Sequence, residues 1–218
     1  MANPSINELQ NEEQFELIAH LNHKQLKEFV IHRLLTGGKL VRMYMIYQFL
    51  MILIGLFFLT RSIVFAFQDY SEPLFYSVAA LIFCFSLLIV IHELLHGIAL
   101  KITGAKKVNY GGYLKKFIFY AEADQFVINK KQFSFIALTP LIAVKLITLV
   151  GVVLFYNQPI FFFLIFTMSI HSLFCAGDIG LLSIFSNYKN SEIFTYDLNA
   201  EKKSFYYKRK KNVVKNSK

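Results

Sequence analysis

The strongest constraint on the fold is an apolar run of bilayer length that ends in a short polar motif, His92-Glu93-Leu94-Leu95-His96-Gly97. The run begins near Leu74 and continues to about Ile102. A helix needs about 20 apolar residues to cross a membrane, so this stretch is long enough to span one. Ionisable side chains inside such a helix are costly to insert, and their presence therefore favours a functional role.

The motif itself carries metal chemistry. His92 and His96 are four residues apart, so on a helix they project from one face and their imidazoles can converge on a zinc ion. Glu93 lies one step round the helix, where its carboxylate can reach a metal-bound water and take its proton. We therefore predict zinc as the cofactor, with His92 and His96 as ligands and Glu93 as the catalytic residue.

Composition places the motif in a membrane protein. Of the 218 residues, 56% are hydrophobic, and the mean hydropathy is +0.47. Both values exceed those of ordinary soluble domains, which favours a polytopic membrane protein. Cys84 and Cys175 both fall in apolar segments, which indicates buried free thiols rather than a disulfide framework.

Four apolar segments predict the fold class, an all-α integral membrane protein with four transmembrane helices. The segments cover about residues 43–60, 74–102, 133–156 and 159–186, with the first extending towards residue 67. Residues 41–186 would form a four-helix, metallopeptidase-like membrane domain. A polar cytoplasmic region of residues 1–40 would precede this domain, and a basic cytoplasmic tail of residues 187–218 would follow it.

The distribution of charge predicts the orientation. Lys and Arg number five up to Arg42, seven in residues 101–132 and nine in the tail, against one in residues 61–73 and none in residues 157–158. Because positive residues accumulate on the cytoplasmic side, both termini and the 103–132 loop are predicted to be cytoplasmic. The net charge of +9 is then mainly a topology signal, and no nucleic-acid-binding motif gives it another meaning.

Residues 1–40 predict one or two amphipathic helices. Apolar residues recur there at spacings of three and four and stop at Gly37-Gly38, a sequence that commonly ends a helix. His20, His23 and His32 lie in this region. We interpret them as solvated surface residues rather than as a second metal site.

Two polar segments have the composition of small β-hairpins. Residues around 108–113 and 117–120 predict a hairpin in the 103–132 loop, at the membrane surface. Residues 192–198 and 204–208 predict a second hairpin in the C-terminal tail.

Asp178 is the predicted third metal ligand. Counted at 1.5 Å per residue from the predicted cytoplasmic helix ends, Asp178 lies roughly 12 Å deep, between His96 at roughly 9 Å and His92 at roughly 15 Å. By the same count His171 lies roughly 22 Å deep, about two turns too far out to share the ion. Two histidines and one carboxylate, with a fourth position for water, form a known catalytic zinc arrangement. The alternative is an Asp that simply reaches the membrane interface.

Four further polar or irregular residues lie near the predicted site. His171 is interpreted as a lining residue or hydrogen-bond partner, with plain helix-to-helix bonding as the alternative, and Cys175 as a weaker ligand candidate or a packing residue. Lys145 is too deep to reach water, so it should face the bundle and find a partner there, either at the site or for stability alone. Pro140 should free backbone groups of the third helix beside the metal, or else mark a packing irregularity.

Several stretches together resemble a known family. They are the His92–Gly97 motif, the basic loop that follows it, the Ala137-Leu138-Thr139-Pro140 start of the next span and the Ala176-Gly177-Asp178-Ile179-Gly180 segment. Over about residues 74–186 the chain resembles small bacterial membrane proteins classed as zincin peptidases and, more distantly, the site-2 proteases, which are intramembrane zinc metalloproteases. The resemblance implies His92, His96 and Asp178 as zinc ligands and Glu93 as the acid/base. Unlike site-2 proteases, this chain has neither an Asn-Pro before Asp178 nor a Gly directly after it.

The predicted function is that of an intramembrane zinc metallopeptidase in the bacterial cytoplasmic membrane, a multi-pass protein whose partners are the lipid bilayer and its substrate. The substrate would be a membrane-embedded protein or a lipophilic peptide, cleaved near the cytoplasmic face. Two alternatives stay open. An inactive scaffold would tolerate changes at Glu93, and a metal carrier would need further ligands along a path through the bundle, for which His171 is the extra candidate.

Overall fold

The computed structural model describes residues 3–113, 118–186, 188 and 191–210. Within these residues, three helical stretches are long and apolar enough to cross a membrane: α3 (Lys39–Ala66), the stretch Glu72–Ile102 and α6 (Lys130–Leu154). A fourth candidate span consists of α7 (Ile160–Phe174) and α8 (Ala176–Ser186), which bend by 45° where they meet. The protein is therefore mostly helical, and the predicted apolar segments form its helices.

The stretch that carries the motif contains an irregularity. It consists of α4 (Glu72–Phe83), a π-helical turn at Cys84–Leu88 and α5 (Ile89–Ile102). Such turns insert an extra residue and are frequent next to functional sites, and this one lies directly before the histidine motif on α5. Gly104, with a φ of 105°, ends the stretch in a conformation that glycine adopts readily.

The helices α3, α4 and α6 all pack against α7. Many large apolar side chains of the membrane-length helices are exposed, among them Leu56, Phe57, Leu87, Val90, Ile147 and Val153. So much contiguous apolar surface is unfavourable in water and indicates association with a membrane.

Two short helices and a four-stranded sheet complete one end of the bundle. Helix α1 (Ile6–Leu9) leads into the sheet, and helix α2 (Leu26–Thr36) packs against α8. The sheet is antiparallel in the order β1-β6-β5-β4. Its strands are β1 (Phe15–Asn22), β4 (Ile128–Asn129), β5 (Ile193–Leu198) and β6 (Lys203–Arg209). Segments from the beginning, the middle and the end of the chain thus meet in one sheet.

A separate hairpin, β2 (Asn109–Tyr113) and β3 (Ile118–Glu122), packs beside α5. Gly97 of the motif allows this approach, because a side chain at this position would overlap the hydroxyl of Tyr110. The predicted hairpins in the loop and in the tail are both confirmed, and the tail hairpin is the β5–β6 pair.

Two expectations for the first 40 residues are wrong. Residues 15–22 form a strand rather than a helix, because they pair with β6, nearly 190 residues away, and this pairing outweighs their local apolar spacing. His23 is 4% exposed rather than solvated, because a turn at the end of β1 folds it beneath the sheet. Helix α2, which ends at Gly37, agrees with the predicted helix end.

Candidate metal centre

Three predicted ligand residues meet beside the first half of α5. His92 and His96 are 5% and 7% exposed, and their Nε2 atoms lie 3.1 Å apart. Asp178 places Oδ1 3.1 Å from Nε2 of His96 and Oδ2 3.3 Å from Nε2 of His92. The one-turn spacing of the histidines on α5 produces this convergence, since residues i and i+4 share a helix face.

Asp178 reaches the histidines because the fourth span is broken. Helix α7 ends at Phe174, and α8 begins at Ala176 after the 45° bend. Asp178 then lies in the first turn of α8. The amino-terminal end of a helix stabilises negative charge, so a carboxylate is well placed at this position.

Pro140 fixes the orientation of His96. Nδ1 of His96 lies 3.0 Å from the carbonyl oxygen of Ile136. This carbonyl is four residues before Pro140, which has no N–H to offer it within α6. Because a carbonyl only accepts, Nδ1 of His96 carries a proton, so in the neutral ring Nε2 keeps a lone pair, which faces Asp178. The expectation that Pro140 frees a backbone group beside the cleft is confirmed.

His171 orients His92 in a similar way. Its Nε2 lies 3.1 Å from Nδ1 of His92, and its Nδ1 lies 3.9 Å from the sulfur of Cys175. His171 and Cys175 are both fully buried. His171 is closer to the histidine pair than the depth count predicts, because that count assumed one straight fourth helix. A second group that could bind a metal ion consists of His92, His171 and Cys175. One ligand atom from each of these residues lies within 4.8 Å of the others.

The cluster of His92, His96 and Asp178 fits a zinc ion. Ligands about 2.0–2.1 Å from zinc at tetrahedral corners lie about 3.3 Å apart, close to the observed separations of 3.1–3.3 Å. When both Nε2 atoms are unprotonated, the three ligand atoms face one another as acceptors, and Oδ2 of Asp178 is buried with no hydrogen-bond partner among the described residues. A cation at the centre satisfies all three side chains.

Glu93 is the acid/base candidate of the motif. It is partly buried and lines the same cavity as the three ligand candidates. Its Oε2 is buried, and within the described ranges it has no hydrogen-bond partner. No structural contact of this oxygen therefore competes with a catalytic role.

Lys145 lies apart from this cluster. It faces the bundle as expected, where its Nζ donates to the carbonyl of Met168 at 3.0 Å and lies 5.0 Å from the ring centroid of Tyr47. It does not line the cavity that contains the motif. Its contacts are those of a buried cation held by a carbonyl dipole and an aromatic face.

The cavity has a volume of about 630 Å³ and lies between the helix ends and the sheet. The metal cluster occupies one part of its wall, and His23, Glu122 and Asp197 line another part. These three residues were not predicted from the sequence as site residues. They come from the β1–α2 connection, β3 and β5, which are far apart in the sequence. No local spacing of residues therefore predicts that they meet.

Taken together, the helices and the cluster define a mostly helical, membrane-associated protein with a two-histidine, one-carboxylate centre in a cavity. The family model described as "Putative zincin peptidase" matches residues 85–193, half of the 218-residue chain. The chain belongs to this family, as its sequence resemblance predicted. Membership indicates a zinc-dependent hydrolase, and the matched range includes every residue of the cluster. No curated protein and no solved structure matches the chain.

Proposed function

We propose that this protein is an intramembrane zinc metallopeptidase that hydrolyses a peptide bond near the cytoplasmic face of the bacterial cell membrane. The observation that carries this proposal is the convergence of His92, His96 and Asp178 at 3.1–3.3 Å, beside a carboxylate oxygen of Glu93 that no described residue hydrogen-bonds. Membership of the zincin peptidase family supports it.

In this proposal, His92, His96 and Asp178 hold the zinc ion. When bound there, zinc supplies Lewis acidity, which activates a water molecule and polarises the scissile carbonyl. The carbonyl of Ile136 and the ring of His171 keep both histidines turned towards the ion. Such outer contacts raise ligand basicity and keep the site assembled between turnovers.

Glu93 moves the proton. Its carboxylate accepts a proton from the attacking water and then delivers it to the leaving nitrogen of the cleaved bond. Its position one residue after His92 places it beside the ligand face, where it need not occupy a metal position. Oε2 has no hydrogen-bond partner in the part of the chain that the structure describes, which supports its role in the transfer.

The proposed substrate is a membrane-embedded protein or a lipophilic peptide. The site lies near one end of a membrane-length helix, next to the sheet and the basic segments that the charge distribution assigns to the cytoplasm. A helical substrate must unwind before cleavage, since its carbonyls are already hydrogen-bonded within the helix. In this proposal such a segment enters the cavity from the bilayer boundary.

A metal carrier is the second candidate, favoured by the additional buried donor group of His92, His171 and Cys175. A carrier would pass an ion from one donor group to the other. In that case Cys175→Ser would slow zinc flux into vesicles that contain the protein, and Glu93→Gln would leave the flux unchanged. For a peptidase we expect the reverse: Glu93→Gln should abolish peptide cleavage, and Cys175→Ser should affect cleavage less.

The test of the peptidase proposal is cleavage of a quenched fluorescent transmembrane peptide by the full chain in lipid nanodiscs. Glu93→Gln should lower the rate by about 100-fold or more, the usual contribution of a general acid/base. Glu72→Gln is the matched control, since Glu72 begins the same helical stretch and does not line the cavity. Equal rates in the wild type and Glu93→Gln would contradict the proposal.

A further inference from the structure

A second polar cluster lies in the wall of the same cavity, on the side of the sheet. His23, Glu122 and Ser204 are 4%, 3% and 8% exposed. Nε2 of His23 lies 3.2 Å from Oγ of Ser204, and this hydroxyl donates to Oδ1 of Asp197 at 2.6 Å. On the other side of the His23 ring, Nδ1 faces Oε2 of Glu122 at 3.8 Å.

The hydrogen bonds determine where the proton of His23 lies. Ser204 gives its only proton to Asp197, so its oxygen accepts from the Nε2–H of His23. The other nitrogen, Nδ1, is then an acceptor, and it faces the acceptor oxygen of Glu122. Among the described residues neither atom has a hydrogen-bond partner, although both are buried. When Glu122 is ionised, the two buried acceptors lack a donor between them, and an incoming N–H group or a proton on Glu122 satisfies both.

Burial and neighbouring carboxylates dominate the electrostatics of this pair. Burial, and after it the negative charges of Asp197 and Asp124, raise the pKa of Glu122 to about 7, while Lys202 opposes this shift with the smallest effect. Burial also lowers the pKa of His23, so an imidazolium is disfavoured. The cluster is therefore a buried site that favours an incoming cation carrying N–H donors.

The spacing points to a polyatomic cation rather than a bare metal ion. Only two unpartnered acceptors converge here, and within the described residues the donor groups suited to a metal are those around His92. An ammonium carries three N–H donors and a guanidinium carries five, so either can bond His23 and Glu122 together.

We propose that His23 and Glu122 form a subsite for a basic side chain, lysine or arginine, of the peptide that is cleaved at the metal centre. This inference rests on the proposed peptidase function, because both groups of residues line one cavity. Membrane proteins carry lysine and arginine just beyond the cytoplasmic ends of their spans. The substrate class is therefore a membrane-spanning segment with a basic residue at its cytoplasmic boundary.

The test measures binding, so that it does not depend on turnover. The full-length Glu93→Gln protein in nanodiscs is titrated with two fluorescent transmembrane peptides that differ at one boundary position, lysine in one and norleucine in the other. We expect the lysine peptide to bind about tenfold more tightly, since hydrogen bonds to a charged group are strong. Equal affinities of the two peptides would overturn the proposal.

Added substitutions assign the preference to the subsite. Glu122→Gln should weaken only the lysine peptide, to the affinity of the norleucine peptide. Glu16→Gln is the control, because Glu16 is an exposed carboxylate of β1 that pairs with Lys208 outside the cavity. If Glu122→Gln weakened both peptides equally, the subsite would be wrong. If Glu122→Gln fails to fold, the comparison of the lysine and norleucine peptides on the protein with Glu122 intact still decides the question.

Failure of this inference is distinguishable from failure of the proposed function. A protein that cleaves the lysine and norleucine peptides at equal rates is a peptidase without this subsite. A protein that binds no zinc and cleaves neither peptide, yet prefers the lysine peptide in the titration, has the subsite without the proposed activity.

Discussion

The candidate metal centre and the proposed His23–Glu122 subsite both place buried acceptor atoms face to face. At the metal centre three residues converge at 3.1–3.3 Å, a spacing that a single small ion fills. At the subsite two acceptors face each other at 3.8 Å, and an ion that brings its own hydrogens suits them better. The number and spacing of the acceptors therefore indicate which kind of cation each region binds.

The two regions also differ in how their geometry is held. The metal centre is oriented by helix features, namely the carbonyl freed by Pro140 and the buried ring of His171. The subsite is oriented by the sheet, through the chain from His23 to Ser204 to Asp197. Changes within the helices should therefore affect zinc, and changes within the sheet should affect substrate preference.

Removal of the metal should separate the two regions most clearly. A chelator such as 1,10-phenanthroline is expected to abolish peptide cleavage, because it removes the Lewis acid. Added zinc should restore cleavage. The preference for the lysine peptide should persist in the metal-free protein, since His23 and Glu122 do not touch the metal cluster. Peptide cleavage and peptide preference are measured on the same nanodisc preparation. Loss of the preference for the lysine peptide on chelation would show that the two regions are not separate.

Loss of the His171 contact should weaken zinc binding. His171→Ala removes the partner of Nδ1 of His92, and lost partners of this type typically reduce metal affinity by about 10–100-fold. Zinc affinity is measured by competition with a fluorescent chelator. His20→Ala on strand β1 is the control, because His20 is exposed and should have no effect. An unchanged affinity in His171→Ala would mean that His92 needs no second partner.

The role of Pro140 predicts opposite changes in stability and in metal binding. Pro140→Ala restores a backbone N–H in α6, which competes with His96 for the carbonyl of Ile136. We expect zinc affinity to fall by up to about tenfold while the thermal midpoint of the protein is unchanged or rises, because proline is a poor helix residue. If Pro140→Ala lowered both the thermal midpoint and the zinc affinity, Pro140 would have a packing role instead.

The smallest expected effect is a pH dependence at the subsite. Glu122 has a folded-state pKa of about 7, above its ordinary value of 4.5, so between these values the folded protein binds an extra proton. Its contribution to stability is therefore present below pH 4.5 and is lost as the pH rises towards 7. Thermal midpoints at pH 5 and pH 8 should differ less in Glu122→Gln than in the wild type. An identical difference in both proteins would contradict the assignment.

What the sequence could predict was local, within one helix or one hairpin. The spacing of His92 and His96 depends on one helical turn, and the effect of Pro140 depends on the absence of its own N–H. The comparison of depths placed Asp178 beside the two histidines, where the structure also has it, because all three residues lie close to the same helix ends. The same count misplaced His171, because no sequence signal marks the bend at Cys175.

What the sequence could not predict depends on distant pairing. Strand β1 has apolar spacing that suits a helix, and only its pairing with β6 makes it a strand. The subsite combines His23, Glu122 and Ser204, which are separated by 99 residues and then by 82 along the chain. No periodicity connects such residues, so the subsite cannot be predicted until the sheet and the β2–β3 hairpin are placed together.

The most direct test of the account is the zinc content of the detergent-purified protein, determined by mass spectrometry. The wild type should carry about one zinc per chain, His96→Ala and Asp178→Ala should lose it, and Glu93→Gln should keep it, since only the first two remove a ligand. This pattern would establish the metal centre and separate binding from catalysis. A wild type without zinc under metal-replete conditions, or an Asp178→Ala protein with full zinc, would contradict it.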